Sequence, residues 1–406
     1  MFKYLHISIL FTIFAFDIST FFVKNMELFT VLKEIEDPRR DHLKEHSLEC
    51  IFYITIAAVI GGAESWYEVE EFGKMKEPFF RSRIKDFKGV PSHDTFNRVF
   101  SILNPKELER VFRLWINEIC GKYRGIVPID GKEICGARIE RKDGSFESLR
   151  MVSAWAAANG VTLGQEKVGK KSNEIKAIPK LVQALDLEGC VVTIDAIGCQ
   201  HKIVETIVKN KADFVICVKS NQKNLHDTIK SWLDGVDFEG NSIEGHGHIP
   251  PARYQVSYTE ECGHGRKERR YCQVYNNGVL DKVLGWKGVN SVACVTNIKT
   301  YLKEKRTVEE KHYYITSLPL DSDRIMQAVR THWSIENNLH WQLDVTFNED
   351  NTRKVKNAAQ NFSLISKIAL AKIKNSNTKG SFKMKRKLAG WDERFMIELL
   401  DSEWIE

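Results

Sequence analysis

Three carboxylates, Asp130, Asp195 and Glu336, stand in settings that could bring them together around hard divalent cations. Asp130 closes the apolar run Ile126-Val127-Pro128-Ile129 and precedes Gly131, while Asp195 closes Val191-Val192-Thr193-Ile194 and precedes Ala196. Glu336 lies in His332-Trp333-Ser334-Ile335-Glu336-Asn337-Asn338-Leu339-His340-Trp341, a stretch with helical spacing. Ions of the Mg2+ or Mn2+ kind take oxygen donors. Two of them held side by side can clamp the attacking and leaving oxygens of a phosphoryl transfer.

His332, Glu336 and His340 are spaced i, i+4, i+8, with Asp344 continuing the same face. In one reading the histidines orient the glutamate or contact phosphate. In another, His332, Glu336 and His340 bind a transition metal of their own, because imidazole suits such ions. Three ligands on successive turns spread over about 12 Å of axis, which is long for one ion. A third reading is a structural network between helices.

A lone aspartate after an apolar run is ordinarily a turn or a cap, so the elements around these acids decide. From Ile126 the hydrophobic period changes from 3.6 to 2. Strands are expected over 126–140, 147–157 and 161–168, joined by the hairpin turns Asp143-Gly144 and Asn159-Gly160. An amphipathic helix follows with Ile175, Ile178, Leu181, Val182 and Leu185, begun or kinked at Pro179. Then come a strand over 191–195, a helix near 200–210 and the strand Phe214-Val215-Ile216-Cys217-Val218. The later strands are continuous apolar runs, as buried parallel strands tend to be. The order βββαβαβ places Asp130 on the first strand and Asp195 on the fourth; where those two strands are neighbours, about 4.8 Å apart, the acids can share ions.

Residues 26–122 read as a helical N-terminal domain and a candidate DNA-binding unit. Asn104-Pro105-Lys106-Glu107 marks a helix start, followed by the stripe Leu108, Val111, Phe112, Trp115 and Ile116. Arg81-Ser82-Arg83-Ile84-Lys85 leads through Gly89-Val90-Pro91-Ser92 into His93–Phe100, either a helix-turn-helix reader or ordinary bundle packing. Residues 123–222 and 313–375 form the expected catalytic core. Residues 223–312 form a β-rich insertion with Arg253–Tyr258, Arg270–Tyr275 and Val292–Thr296 as its strands. The basic piece Gly263-His264-Gly265-Arg266-Lys267-Glu268-Arg269-Arg270 is either an arm over a DNA groove or a solvated hairpin.

The chain has 406 residues, 28% charged and 43% hydrophobic, with a net charge of +6, the balance of a globular protein of two or three domains. Residues 1–25 read as a dispensable extension or upstream sequence, and Ile51–Ala63 as a buried helix too short to span a bilayer. From Asn351 to Trp391 there are eleven Lys/Arg and no acid, and residues 376–406 read as a basic tail with a short helix. A polyanion partner or a solvated face would each explain that run. Nine cysteines without a Cys-x-x-Cys pair point to a reducing, cytoplasmic setting, and Cys262, His264 and Cys272 lack a fourth zinc ligand.

These residues carry a resemblance. Pro91-Ser92-His93-Asp94-Thr95-Phe96, Ile129-Asp130-Gly131-Lys132, Lys171-Ser172-Asn173-Glu174-Ile175, Thr193-Ile194-Asp195-Ala196, Lys219-Ser220-Asn221-Gln222, Gly263-His264-Gly265-Arg266 and the His332–Trp341 stretch occur in order. Together they resemble the DDE transposases of bacterial insertion sequences, in the group of H-repeat-associated proteins. The resemblance implies an α/β fold with a ribonuclease-H-like core (βββαβαβ, then α), interrupted by the β-rich insertion. It also implies Asp130, Asp195 and Glu336 as both catalytic triad and metal ligands, with two Mg2+ or Mn2+ ions. The expected partners are double-stranded DNA, as element ends and target, and a second copy of the chain across the synapsed ends, with no membrane.

Lys132, Asn221, Gln222, Arg266, Arg330, His332, Asn337, His340 and Arg353 are the candidate DNA contacts. One departure stands out. Related transposases place Tyr, Arg and Lys at −7, −4 and +7 from the glutamate, where this chain has Val329, His332 and Leu343. The alternatives are a metal-dependent nuclease on the same fold and a DNA-binding remnant without catalysis.

Overall fold

The computed structural model describes residues 28–140, 146–169, 173–239, 253–263, 265–276, 278–351 and 353–401. The extension expected at 1–25, the Asp143-Gly144 turn, Lys171, Ser172, His264 and Asn277 lie outside these residues.

Among the described residues six α-helices come first: α1 Leu28–Leu32, α2 Leu48–Ile60, α3 Trp66–Met75, α4 Glu77–Arg83, α5 His93–Ile102 and α6 Pro105–Cys120. Each has a local cause. Ser47, Ser65, Ser92 and Asn104 cap α2, α3, α5 and α6 through their side-chain oxygens, and Pro105 occupies the first turn of α6. α2 is buried along nearly its whole length, from Cys50 to Ile60. It carries the apolar run around Ile51, and among the described residues no helix is long and apolar enough to cross a membrane. α4 and α5 do not form a helix-turn-helix. The connection between them runs over residues 84–92, where that motif uses a turn of about 3–4 residues.

The sheet begins with β1 Ile126–Glu140, β2 Phe146–Ala156 and β3 Val161–Lys167, an antiparallel meander. α7 Glu174–Ala184, with Pro179 inside it, leads to β4 Val191–Ile194, and α8 His201–Lys209 leads to β5 Asp213–Val218. β4 runs parallel to β1 and β5 parallel to β4, giving the order β3-β2-β1-β4-β5. This is the ribonuclease-H-like arrangement.

The stretch after β5 holds α9 Lys223–Asp234, β6 Tyr254–Gly263, β7 Arg266–Tyr275, α10 Leu280–Leu284, β8 Ser291–Tyr301 and β9 Arg306–Thr316. It extends the same sheet. β9 pairs with β5 through Val215↔Thr316 to Val218↔Tyr313, and the order continues β5-β9-β8-β7-β6. α11 Ser322–Ile335 then crosses back over β4 and β1, followed by a π turn at Glu336–His340 and α12 Trp341–Val345. β10 Lys354–Val355 pairs with β1.

The two faces of the sheet bury different partners, as alternation along a strand requires. Val192, Ile194, Phe214 and Ile216 join the large core shared with the N-terminal helices. Val191 and Val215 face a second cluster in which α11 contributes Ile325, Met326, Ala328 and Val329. α13 Lys356–Lys374 is buried continuously from Ala358 to Ile373, packed between α2, α5, α6 and β3.

α14 Phe382–Trp391 and α15 Glu393–Asp401 close onto α13 and α2. The basic run expected as a tail is partly interior. Lys385 donates to the Ser376 carbonyl (3.1 Å), and Arg386 donates to the carbonyls of Val59 (2.8 Å) and Thr346. Helix-end carbonyls lack intrahelical donors, and these cations supply them.

Candidate active site

The last parallel pair between β1 and β4 is Ile129↔Ile194. One step further in register are Asp130 and Asp195, at adjacent strand positions. β4 ends there because the Asp195 carboxylate accepts the Ile197 N–H (3.1 Å) and caps the turn Ala196–Gly198. Asn221 and Gln222 brace that loop from below, donating to the carbonyls of Ala196 (2.7 Å) and Cys199 (2.9 Å).

Glu336 arrives from the other side of the sheet. His332 Nδ1 lies 3.0 Å from Thr193 Oγ1, which pins α11 to β4 one turn before the glutamate. The π turn then widens the helix over Glu336–His340, a local change that often marks a functional position. It sets His340 beneath Glu336, with Nδ1 3.9 Å from Glu336 Oε2 and 3.4 Å from Asp130 Oδ2. Donor atoms of Asp130, Glu336 and His340 all lie within 4.8 Å of one another, and Asp195 falls outside that tight group.

The electrostatics are those of a site short of positive charge. Burial, then the charges of Glu336 and Asp195, push Asp130 up to about 8. Burial drives His340 down to about 3, so its ring is neutral and offers the carboxylates no charge. Burial lowers His332 as well. The ammonium of Lys132, two residues past Asp130, is engaged elsewhere, against Asp344 (2.6 Å), Asp350 (3.2 Å) and Glu349 (3.5 Å). Clustered carboxylates with one forced toward protonation fit a divalent cation, which would remove the repulsion.

The same geometry revises several expected DNA contacts. Lys132 is buried and held by three acids, so it is not available to phosphate. Arg266 pairs with Glu268 and Arg330 with Glu261. Asn221 and Gln222 serve the Asp195 loop. Asn337 and Arg353 are exposed, the latter on the rim of a cleft of ≈ 510 Å³ that also includes Tyr67, His93 and Asn97. Val329 and Leu343, where related transposases carry Tyr and Lys, are buried in the core.

One acid near the site escaped sequence reasoning. Glu174, at the start of α7, packs over Gly131, where a Cβ would stand 2.2 Å from its carboxyl carbon. Burial and the neighbouring Asp195 raise it above the ordinary carboxylate range. The signal available for it was its place in the Lys171–Ile175 stretch.

A family model described as "DDE_Tnp_1-associated" matches residues 29–116, and one described as "Transposase DDE domain" matches residues 124–371. The chain is 36% identical to "Putative transposase YncI" of Escherichia coli O157:H7, covering 92% of this chain and 94% of that protein. It is 32% identical to "H repeat-associated putative transposase YhhI" of Escherichia coli K12, covering 92% and 98%. Among solved structures, the piggyBac transposase synaptic complex with hairpin DNA aligns over 93% of this chain and 78% of that one. The TM-score is 0.40 and the identity 12%, too distant to carry an argument.

Proposed function

The chain belongs to the DDE transposase family, and we propose that it cleaves DNA at the ends of its element and joins the freed 3′-hydroxyl to target DNA. Asp130, Asp195 and Glu336 would hold two divalent ions, Mg2+ or Mn2+. The observation that carries this reading is the meeting of a β1–β4 strand pair with the π turn, which sets Asp130 between Asp195 and Glu336.

When bound, the ions would supply Lewis-acid polarisation of the scissile phosphate and a lowered pKa for the attacking water. The chain's own residues do the positioning. Asn221 and Gln222 hold the Asp195 loop, and the His332–Thr193 contact fixes the rotation of α11 and so the aim of Glu336. Three carboxylates without cations would repel a phosphodiester, so cleavage should be wholly metal-dependent. Two element ends must be held at once, which makes a homodimer the expected working unit.

The test is cleavage and strand transfer on DNA bearing the element's ends, with Mg2+ or Mn2+. Asp130→Asn, Asp195→Asn and Glu336→Gln should each abolish both products while salt-sensitive DNA binding persists. Nicks without joined product would identify a nuclease instead. Metal-independent or unchanged cutting in the three variants would overturn the assignment.

A further inference from the structure

We infer that His340 is a fourth ligand of the metal site, through Nδ1, and that it biases the site toward Mn2+ over Mg2+. The inference rests on the reading of Asp130 and Glu336 as ligands and extends it to a residue type outside an all-carboxylate triad. Two observations carry it.

The first is spacing. Donors about 2.1 Å from one ion stand about 3 to 4 Å apart, according to the angle between them. His340 Nδ1 lies 3.4 Å from Asp130 Oδ2 and 3.9 Å from Glu336 Oε2, both inside that range. A direct hydrogen bond from the ring to Asp130 would need a shorter approach. The imidazole and the two carboxylates therefore surround a space of ion size.

The second is burial. The His340 side chain is 8% exposed, and its Nε2 has no hydrogen-bond partner. The contacts of Nδ1 with Asp130 and Glu336 are long for hydrogen bonds, so the cost of burying this polar ring is poorly offset. Coordination through Nδ1 would supply a compensating interaction. The π turn brings the ring there, since it delivers Glu336 and His340 to the same side of Asp130. His332, in contrast, is directed to Thr193 and away from this role.

The donor set sets the preference. Carboxylates alone suit Mg2+ and Mn2+ alike, whereas an imidazole nitrogen adds affinity for transition ions and little for Mg2+. Replacing His340 should therefore weaken Mn2+ binding at least tenfold while changing Mg2+ binding far less.

The experiment is pulsed electron paramagnetic resonance of Mn2+ bound to the full chain, which detects a directly bonded nitrogen without any turnover. Wild type should show a 14N coupling that changes to the 15N pattern when histidine is 15N-labelled. The coupling should vanish in His340→Asn and persist in His332→Asn. The isotope experiment on wild type stands even if His340→Asn fails to fold. Mn2+ bound with no nitrogen coupling, or a coupling that survives His340→Asn, overturns the inference and leaves the carboxylate site intact. If Mn2+ does not bind, or binds unaffected by Asp130→Asn, the proposed metal site falls as well.

Discussion

Lys132 Nζ stands 2.6 Å from Asp344 Oδ1, tying β1, two residues past Asp130, to the helix four residues past His340. Glu349, only 2% exposed, and Asp350 complete the clasp. The contact joins the strand that carries one candidate ligand to the segment that carries two more. Removing one partner of a buried ion pair leaves the other charge uncompensated, at a cost of about 3–5 kcal/mol. Lys132→Met should lose that much stability, and adding Glu349→Gln should restore part of it. Denaturant unfolding of the two single variants and the double variant would measure the coupling. A loss no greater than that of exposed Lys180→Met would mean the clasp is not structural.

Asn221 acts on Asp195 through the Ala196 carbonyl, so its removal should disturb the proposed metal site and spare DNA affinity. Outer partners of metal ligands typically matter by about 10–100-fold. Asn221→Ala is expected to slow cleavage about tenfold with an unchanged Kd for DNA. A weaker Kd with an unchanged rate would instead make Asn221 a DNA contact.

The strand order is legible because β4 and β5 are short, largely apolar runs and β1 starts with one, and the Asp130–Asp195 adjacency follows from the ribonuclease-H-like arrangement that this order resembles. Such runs fit buried parallel strands. The β5–β9 pairing is not legible in that way. β9 reads Arg306 to Lys311 with its outer half exposed, and its partner lies about a hundred residues back in the chain, so no local pattern announces it. The histidines show a different limit. Regular spacing places His332, Glu336 and His340 along one face, and a π turn separates their roles, sending His332 to Thr193 and His340 to Asp130. A one-residue change in helical register depends on tertiary packing, and periodicity cannot register it.

Lys385 and Arg386 make the same point for charge, since a basic run says nothing about which members face helix-end carbonyls. Arg386 donates to the Val59 and Thr346 carbonyls and lies 4.3 Å over the Phe347 ring. Arg386→Ala should therefore cost about 3 kcal/mol through the loss of two buried charge-assisted hydrogen bonds. Exposed Lys383 and Lys387 should tolerate alanine within about 0.5 kcal/mol. Thermal melts of the three variants separate the two classes. Equal, small effects would show that Arg386 contributes no more than a surface cation.

Lys367 supplies a pH signature of the interior. Its ammonium donates to Gln165 Oε1 (2.5 Å) and Ser363 Oγ (3.1 Å), and burial lowers its pKa from 10.5 to about 8. The folded value lies below the unfolded one. Between pH 8 and 10.5 the unfolded chain therefore holds a proton that the folded chain has released, and stability attributable to Lys367 rises with pH across that window. Below pH 8 both states carry the proton and this contribution to the slope vanishes. Lys367→Met has no proton to release, so the stability of wild type relative to the variant should climb by about 3 kcal/mol from the bottom to the top of the window. Denaturant midpoints for both proteins at each end give the difference directly, with shared cysteine and tyrosine titrations cancelling. A flat difference would mean that Lys367 keeps its ordinary pKa, and that water reaches the Gln165–Ser363 pocket in the folded protein.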